Sequence, residues 1–230
     1  MTGVVLPQGE AKQRMVREMF DTIAPRYDLV NRIMTFRLDV RWRKRTVRDL
    51  RLRPGSLVLD LAAGTGDLCR DLRAANQRVV GVDLSYGMLA AARTSAPLVQ
   101  GDVQRLPLPG ASVDGVTCGF ALRNFVDLPT FFAELARVVR PGGRIALLDK
   151  AEPANPILRF GHDLYFERVV PLIGGLLSDG AAYRYLPRSV AYLPEPEVLV
   201  AQLRDAGFPD AERALLSGGI AQLLTGTRAA

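Results

Sequence analysis

Apolar residues recur along the chain in two alternating rhythms. Short runs have the length and composition of strands buried on both faces: Leu57-Val58-Leu59-Asp60-Leu61-Ala62, Arg78 to Asp83, Leu98 to Asp102, Val113 to Gly119 and Arg144 to Asp149. Helical stripes lie between them at about Asp67 to Asn76, Tyr86 to Arg93 and Leu128 to Val139. In the last of these Phe131, Phe132, Leu135, Val138 and Val139 share one face. Arg53-Pro54-Gly55 and Arg140-Pro141-Gly142-Gly143 punctuate the series as turns. Residues 11–50 read as helix, broken at Ala24-Pro25 because the residue before a proline is driven out of the α region. Strands and helices alternating at this pace predict right-handed βαβ units and a mostly parallel sheet. A helix at about Glu197 to Ala206 precedes two more strands, within 209–216 and 219–226. Their link near Gly218-Gly219 is short enough for a hairpin, so the last of seven strands is expected to run antiparallel.

The rhythm lapses in residues 150–195, rich in Pro, Gly and Tyr, which read as an inserted helical lid. The expectation is a single α/β domain of Rossmann-like plan. It divides into a helical N-terminal segment (1–50), a strand-bearing core (51–149), the lid (150–195) and a C-terminal helix with two strands (196–230). A length of 230 residues suits one such domain. With 48% hydrophobic and 23% charged residues the composition is that of a globular protein. The N-terminus lacks a secretion-signal pattern, and the uncharged stretch Val169 to Ser178 is about half of what a bilayer span needs. Two cysteines, Cys69 and Cys118, make no disulfide framework, so a cytoplasmic setting is expected.

Charge adds one feature. Residues 1–55 hold 13 Lys+Arg against 6 Asp+Glu, so they carry +7 of a chain total of +6. The density is greatest at Arg41, Arg43, Lys44, Arg45, Arg48, Arg51 and Arg53. A solvated helix face, an anionic membrane surface and a nucleic-acid backbone all fit such a run.

The candidate chemistry begins at Asp60-Leu61-Ala62-Ala63-Gly64-Thr65-Gly66, a strand ending in a glycine turn before a helix. That device brings backbone and free helix N–H groups to a nucleotide. A dinucleotide site places a third glycine where this chain has Cys69. Acids stand inside the strand end (Asp60) and at the helix start (Asp67), where they would repel a pyrophosphate and attract a cation. Asp83 and Asp102 end the next two strands, placed to hold ribose hydroxyls and an adenine amino group. This set favours S-adenosylmethionine, with its ammonium and sulfonium, over a dinucleotide. No His/Cys/acid cluster has metal-ligand spacing, so no metal is expected.

Several segments resemble the bacterial menaquinone/ubiquinone biosynthesis C-methyltransferases, the demethylmenaquinone methyltransferase family. They are MFDTIAPRYDLVN (19–31) with Trp42-Arg43-Lys44-Arg45, LDLAAGTGDL, GVDLSYGML, GDVQRLPLP, Phe120-Ala121-Leu122-Arg123-Asn124 with ELARVVRPGGRIALLD, and Ala182 to Ser189. The resemblance implies a class I methyltransferase that binds S-adenosylmethionine and yields S-adenosylhomocysteine. It implies cofactor roles for Thr65, Asp83, Asp102 and the Val103 N–H, beside Asp60, Gly64 and Gly66 of the loop. A further contact falls at Gly119, where the family often has serine and only backbone remains here. Arg37 and Asp39 replace a usual glycine and histidine, and Asp149-Lys150-Ala151 replaces a usual Glu-Phe-Ser.

The implied substrate is a lipid-soluble isoprenoid quinol methylated on a ring carbon, demethylmenaquinol first and a polyprenyl benzoquinol as the alternative. Such a carbon becomes nucleophilic when the neighbouring hydroxyl loses its proton, so a cation or base is expected beside that oxygen. Arg123, after the fourth strand, is the leading candidate, against a structural arginine paired with a carboxylate. Tyr27, Asn124, Tyr183 and Tyr185 are candidate substrate contacts, while His162 reads as a helix-surface residue and Cys118 as an inert buried thiol. The expected setting is cytoplasmic with peripheral contact at the anionic inner membrane face. A homodimer stays open. Nucleic acid is not an expected partner; a nucleic-acid methyltransferase and a non-catalytic nucleotide-binding module stand as rivals.

Overall fold

A computed structural model describes residues 7–177, 185 and 189–230. Seven strands form one sheet: β1 (Leu57–Leu61), β2 (Arg78–Asp83), β3 (Leu98–Gln100), β4 (Val113–Gly119), β5 (Val139–Lys150), β6 (Glu212–Leu216) and β7 (Ala221–Thr227), in the order β3-β2-β1-β4-β5-β7-β6. The first five are parallel, and β7 runs antiparallel to both β5 and β6. The antiparallel last strand expected from the short Gly218-Gly219 link is therefore present, with Gly218 at φ +73° making the turn.

Side chains alternate across the sheet and feed two apolar layers. Leu59, Ile145 and Leu147 face α6 (Leu128–Val138) and a C-terminal helix, Pro196–Asp205; Val58, Ala146 and Leu148 face Trp42, Leu50 and Leu72. The second layer is closed by α3 (Leu38–Asp49) and α4 (Asp67–Ala74), and a short α5 (Tyr86–Ala90) follows β2. Cys69 on α4 stands where a third glycine would allow close helix–strand packing. The room comes instead from the strand side, at Gly81, where a Cβ would meet the Cys69 Sγ at 3.0 Å. The turn read at 140–143 lies inside β5, which starts at Val139 and bulges before its pairing with β4 resumes at Arg144.

The N-terminal segment folds as α1 (Gly9–Ile23), a 3₁₀ turn at Ala24–Arg26, α2 (Tyr27–Met34) and α3. The break at Ala24-Pro25 is where the proline places it. Beyond β5 come α7 (Pro156–Leu164), a π turn and α8 (Val170–Leu177). Val170 packs with Ile23, Val30, Met34 and Met88, and Tyr165 donates from its hydroxyl to the Met34 carbonyl at 2.9 Å. Residues 178–184 and 186–188 of the tyrosine-rich stretch, Tyr183 among them, lie outside the described residues.

The basic run of the N-terminal segment is less free than its composition implies. Arg43 is buried and pairs with Asp39, Asp67 and Asp71, and Arg45 and Arg48 both pair with Asp49. Asp39 also accepts from the Thr35 hydroxyl at 2.7 Å. Arg37 sits at φ +63°, a left-handed conformation that costs a side-chain-bearing residue roughly 1–2 kcal/mol. Arg37→Gly is therefore expected to stabilise the fold by about 1 kcal/mol, read as a rise in Tm of roughly 2–4 °C.

Candidate active site

The strand order reverses between β1 and β4, and the crevice outside the C-terminal ends of these strands collects most of the polar side chains singled out above. Gly64, at φ +54°, turns its N–H onto Asp83 Oδ2 at 2.7 Å, and Ser85 donates its N–H to Asp83 Oδ1 at 2.8 Å. Burial raises the Asp83 carboxyl above its ordinary value, with these N–H groups pulling it back. Asp102 accepts from the Gln104 N–H at 2.9 Å and from Gln13 Nε2, on α1, at 3.0 Å. Val103 is buried beside it. A cavity of about 110 Å³ is lined by Gly64, Asp83, Asp102, Val103, Gly119 and Asn124, and by Gln13, Arg17 and Phe20 of α1.

A smaller recess of about 50 Å³ lies under the glycine loop, against Asp60, Thr65, Asp67 and Gly119. Asp60 accepts from the Thr117 hydroxyl at 2.9 Å and from the Cys69 thiol at 3.2 Å. Burial pushes its carboxyl up to about 7, against the pull of those two donors. Thr65 is buried and donates to Asp28 of α2. Gly66, at φ +80°, caps α4, and a Cβ there would meet Thr94 at 2.6 Å. At Gly119 a Cβ would come within 2.9 Å of the Leu68 side chain, so the glycine keeps α4 close to the end of β4.

A second chamber of about 380 Å³ adjoins the first, with Tyr27 and Phe120 on the walls of both. Ligand pockets are roughly 300–1,000 Å³. The lining is largely apolar: Ile23, Met34, Phe36, Trp42, Ile157 and Phe166 contribute, and Arg123, Lys150 and His162 are the basic side chains among the described residues that line it. Arg123 is 4% exposed. It pairs through Nη1 with Asp149, donates to the Phe120 carbonyl at 2.6 Å and gives Nε–H to Ser189 at 3.0 Å. Asn124 lines the first cavity and accepts from the Tyr185 hydroxyl at 3.2 Å. Burial pushes Tyr185 up to about 12.

One sequence expectation changes here. His162 is not a surface residue: α7 lies over the chamber, so the imidazole packs on Phe166 at 4.4 Å between centroids, with its side chain largely shielded. Tyr192 donates to the Pro7 carbonyl at 2.7 Å while Lys12 Nζ sits 3.7 Å over its ring. Cys118 is fully buried, and its thiol is pushed well above the ordinary range by burial, the inert state expected of it.

Sequence reasoning missed the part played by α1. Asp21 accepts from the Ser85 hydroxyl at 2.6 Å and the Gly87 N–H at 2.8 Å, and Lys12 donates to the Phe125 carbonyl at 2.7 Å. Gly87 allows this approach, since a Cβ there would lie 2.8 Å from the Asp21 Cα. The only available signal was the MFDTIAPRYD segment, which carries Asp21 and Asp28.

The chain matches the ubiE/COQ5 methyltransferase family over residues 8–228. It belongs to that family. It is 44% identical over 217 residues to a demethylmenaquinone methyltransferase of Deinococcus radiodurans, covering 90% of each chain. It is 42% identical over 221 residues to the ubiquinone/menaquinone biosynthesis C-methyltransferase UbiE of Syntrophotalea carbinolica, covering 92% of this chain and 93% of that one. Among solved structures, an S-adenosylmethionine dependent methyltransferase from Mesorhizobium loti superposes with a TM-score of 0.56 at 21% identity, covering 79% of this chain and 95% of that chain. Phosphoethanolamine N-methyltransferase 2 of Haemonchus contortus, in complex with S-adenosyl-L-methionine, gives 0.58 at 14% identity, covering 78% and 50%. These two likenesses establish the fold.

Asp60 yields a test that needs no ligand. A carboxyl whose folded pKa is raised to about 7 from 3.8 contributes stability in full below about pH 4 and loses it as pH rises through 7. Unfolding of the wild-type protein between pH 5 and 8 should show this decline, and Asp60→Asn should flatten it. An unchanged slope in the variant would remove Asp60 as its source.

Proposed function

We propose that this methyltransferase methylates a ring carbon of an isoprenoid quinol, demethylmenaquinol above all, with S-adenosylmethionine as donor. The observation that carries the reading is the pair of chambers that share Tyr27 and Phe120, one edged with carboxylates and the other apolar. The donor set of the first suits a cationic nucleoside. In this reading Asp83 takes the ribose hydroxyls, Asp102 and the Val103 N–H the adenine, and Gly64, Thr65, Gly66, Gly119 and Asp60 the cationic methionine end. When bound, the cofactor supplies a methyl group on a sulfonium, an electrophile that needs only an aligned carbon nucleophile.

The second chamber suits a flat apolar ring, with Tyr27 where ring and methyl donor would meet. Asn124 and Tyr185 lie on the cofactor side and fit a role in fixing that boundary. Arg123 fits a positioning role, since its charge already faces Asp149 and its donors hold Phe120 and Ser189. The side-by-side assay is methyl transfer to demethylmenaquinol and to a demethylated polyprenyl benzoquinol. Faster turnover of the naphthoquinol is expected; no transfer to either would overturn the reading.

A quinol with an isoprenoid tail resides in a bilayer, so the mouth of the apolar chamber is expected to work at the membrane face, on the cytoplasmic side. No helix among the described residues is long and apolar enough to cross a membrane. The chamber is rimmed by Phe36, 74% exposed, and Ile157, 82% exposed, with Phe160, 72% exposed, on the same helix as Ile157. Arg41, Lys44, Arg45 and Arg48 line a groove that shares Trp42 and Ser217 with this chamber, so cationic and apolar surfaces adjoin. That pairing suits an anionic lipid surface. Vesicles with anionic lipid should retain the protein at low salt more than neutral ones, and Ile157→Ser with Phe160→Ser should weaken retention about tenfold. Equal retention of both forms would contradict the assignment.

A further inference from the structure

Lys150 closes β5 and enters the apolar chamber beside Arg123. Its Nζ is buried, finds no hydrogen-bond partner among the described residues and lies 3.5 Å over the centre of the Phe166 ring. A ring face offers an ammonium only about 2 kcal/mol when desolvated, well short of what removing that charge from water costs. Among the described residues His162 Nε2, packed on the same ring, is the other buried side-chain polar atom of this chamber without a hydrogen-bond partner. Two such atoms in an apolar chamber of ligand size mark where a polar ligand group belongs. The Phe120 carbonyl and Asp149 are already engaged by Arg123, and Asp149 also takes the Lys150 N–H at 2.7 Å, so neither is directed to the Lys150 side chain.

We propose that Lys150 is the catalytic base of the reaction, its neutral amine taking the proton from the quinol hydroxyl next to the carbon that is methylated. This rests on the quinol reading above. The O–H pair then flows into the ring, the carbon forms its bond to the methyl group, and the methyl–sulfur bond breaks with its pair left on sulfur. Loss of the ring C–H proton restores aromaticity, and the Lys150 ammonium returns its proton to the oxygen, so one proton is released per turnover. The surroundings make the neutral amine accessible near pH 7, where it and the ammonium are comparably populated. Burial lowers Lys150 to about 7, Arg123 pushes in the same direction, and Asp149 and Glu152 oppose them. His162, from α7, is itself lowered below its ordinary value, mainly by burial, and faces Lys150 as a neutral group.

The test joins a pH profile, a titration and a melt. In the wild-type protein kcat should rise with pH through about 7, and the Lys150 Nζ resonance of ¹⁵N-lysine-labelled protein should titrate over the same range. Lys150→Met should lower kcat at least 100-fold, leave S-adenosylmethionine affinity within threefold and keep or raise Tm, because a buried amine is removed. Lys150→Arg retains a cation that cannot accept a proton, so it should be equally slow and lack the limb near pH 7. The proposal is overturned if Lys150→Met keeps kcat within threefold, if the limb survives in Lys150→Arg, or if Lys150 titrates near 10. Absence of transfer by the wild-type protein would overturn the quinol reading and this proposal with it.

Discussion

Arg123 and Asp149 form a buried ion pair at the ends of β4 and β5, and the shape of both chambers follows from it. Arg123 bridges Asp149, the Phe120 carbonyl and the Ser189 hydroxyl, while Asp149 also accepts the Arg123 N–H at 3.3 Å. The segment from Gly119 to Asn124 is thereby fixed with Phe120 at φ +60°, a conformation that tertiary contacts must enforce. Phe120, like Tyr27, lines both cavities, and Lys150 follows Asp149 in the chain. Leaving one partner of such a pair alone in the interior costs roughly 3–5 kcal/mol, so the wall and the site stand or fall together. The same pair leaves the Arg123 charge opposed by Asp149 on the wall of the apolar chamber.

The N-terminal helices complete what the sheet begins. Asp21, Asp28 and Gln13 reach Ser85, Thr65 and Asp102, three loops that end three different strands. The crevice is therefore walled by a segment remote in sequence from the residues it meets. Much of the positive charge in this segment is opposed at home: Arg43 faces three carboxylates, and Arg32 faces Asp67 at 3.3 Å. Among the exposed cations, Arg41 and Lys44 line the groove beside the apolar chamber, whereas Arg14 and Arg17 lie on α1.

The strand and helix alternation was legible in the sequence because burial on both faces leaves unbroken apolar runs. The acids Asp83 and Asp102 were legible because strand ends meet at one crevice. Less legible was anything decided by contacts between distant segments. Cys69 looked like a missing glycine until Gly81 supplied the space from the neighbouring strand. His162 has the local pattern of a surface residue, and only the seat of α7 over the chamber turns it inward. Arg43 reads as one of a run of exposed charges; its carboxylate partners lie as far away as Asp71. Lys150 stood out only as a departure from a resemblance, and the chamber around it supplies the physical meaning.

The claim that links all of this is that methyl donor and quinol occupy adjoining chambers divided at Tyr27 and Phe120. A crystal structure of the protein with S-adenosylhomocysteine and demethylmenaquinol tests it most directly. The expected result is the nucleoside along Asp83 and Asp102, with the quinol ring in the apolar chamber and a hydroxyl at Lys150. A ring bound elsewhere, with the apolar chamber empty while the nucleoside site is filled, would contradict it.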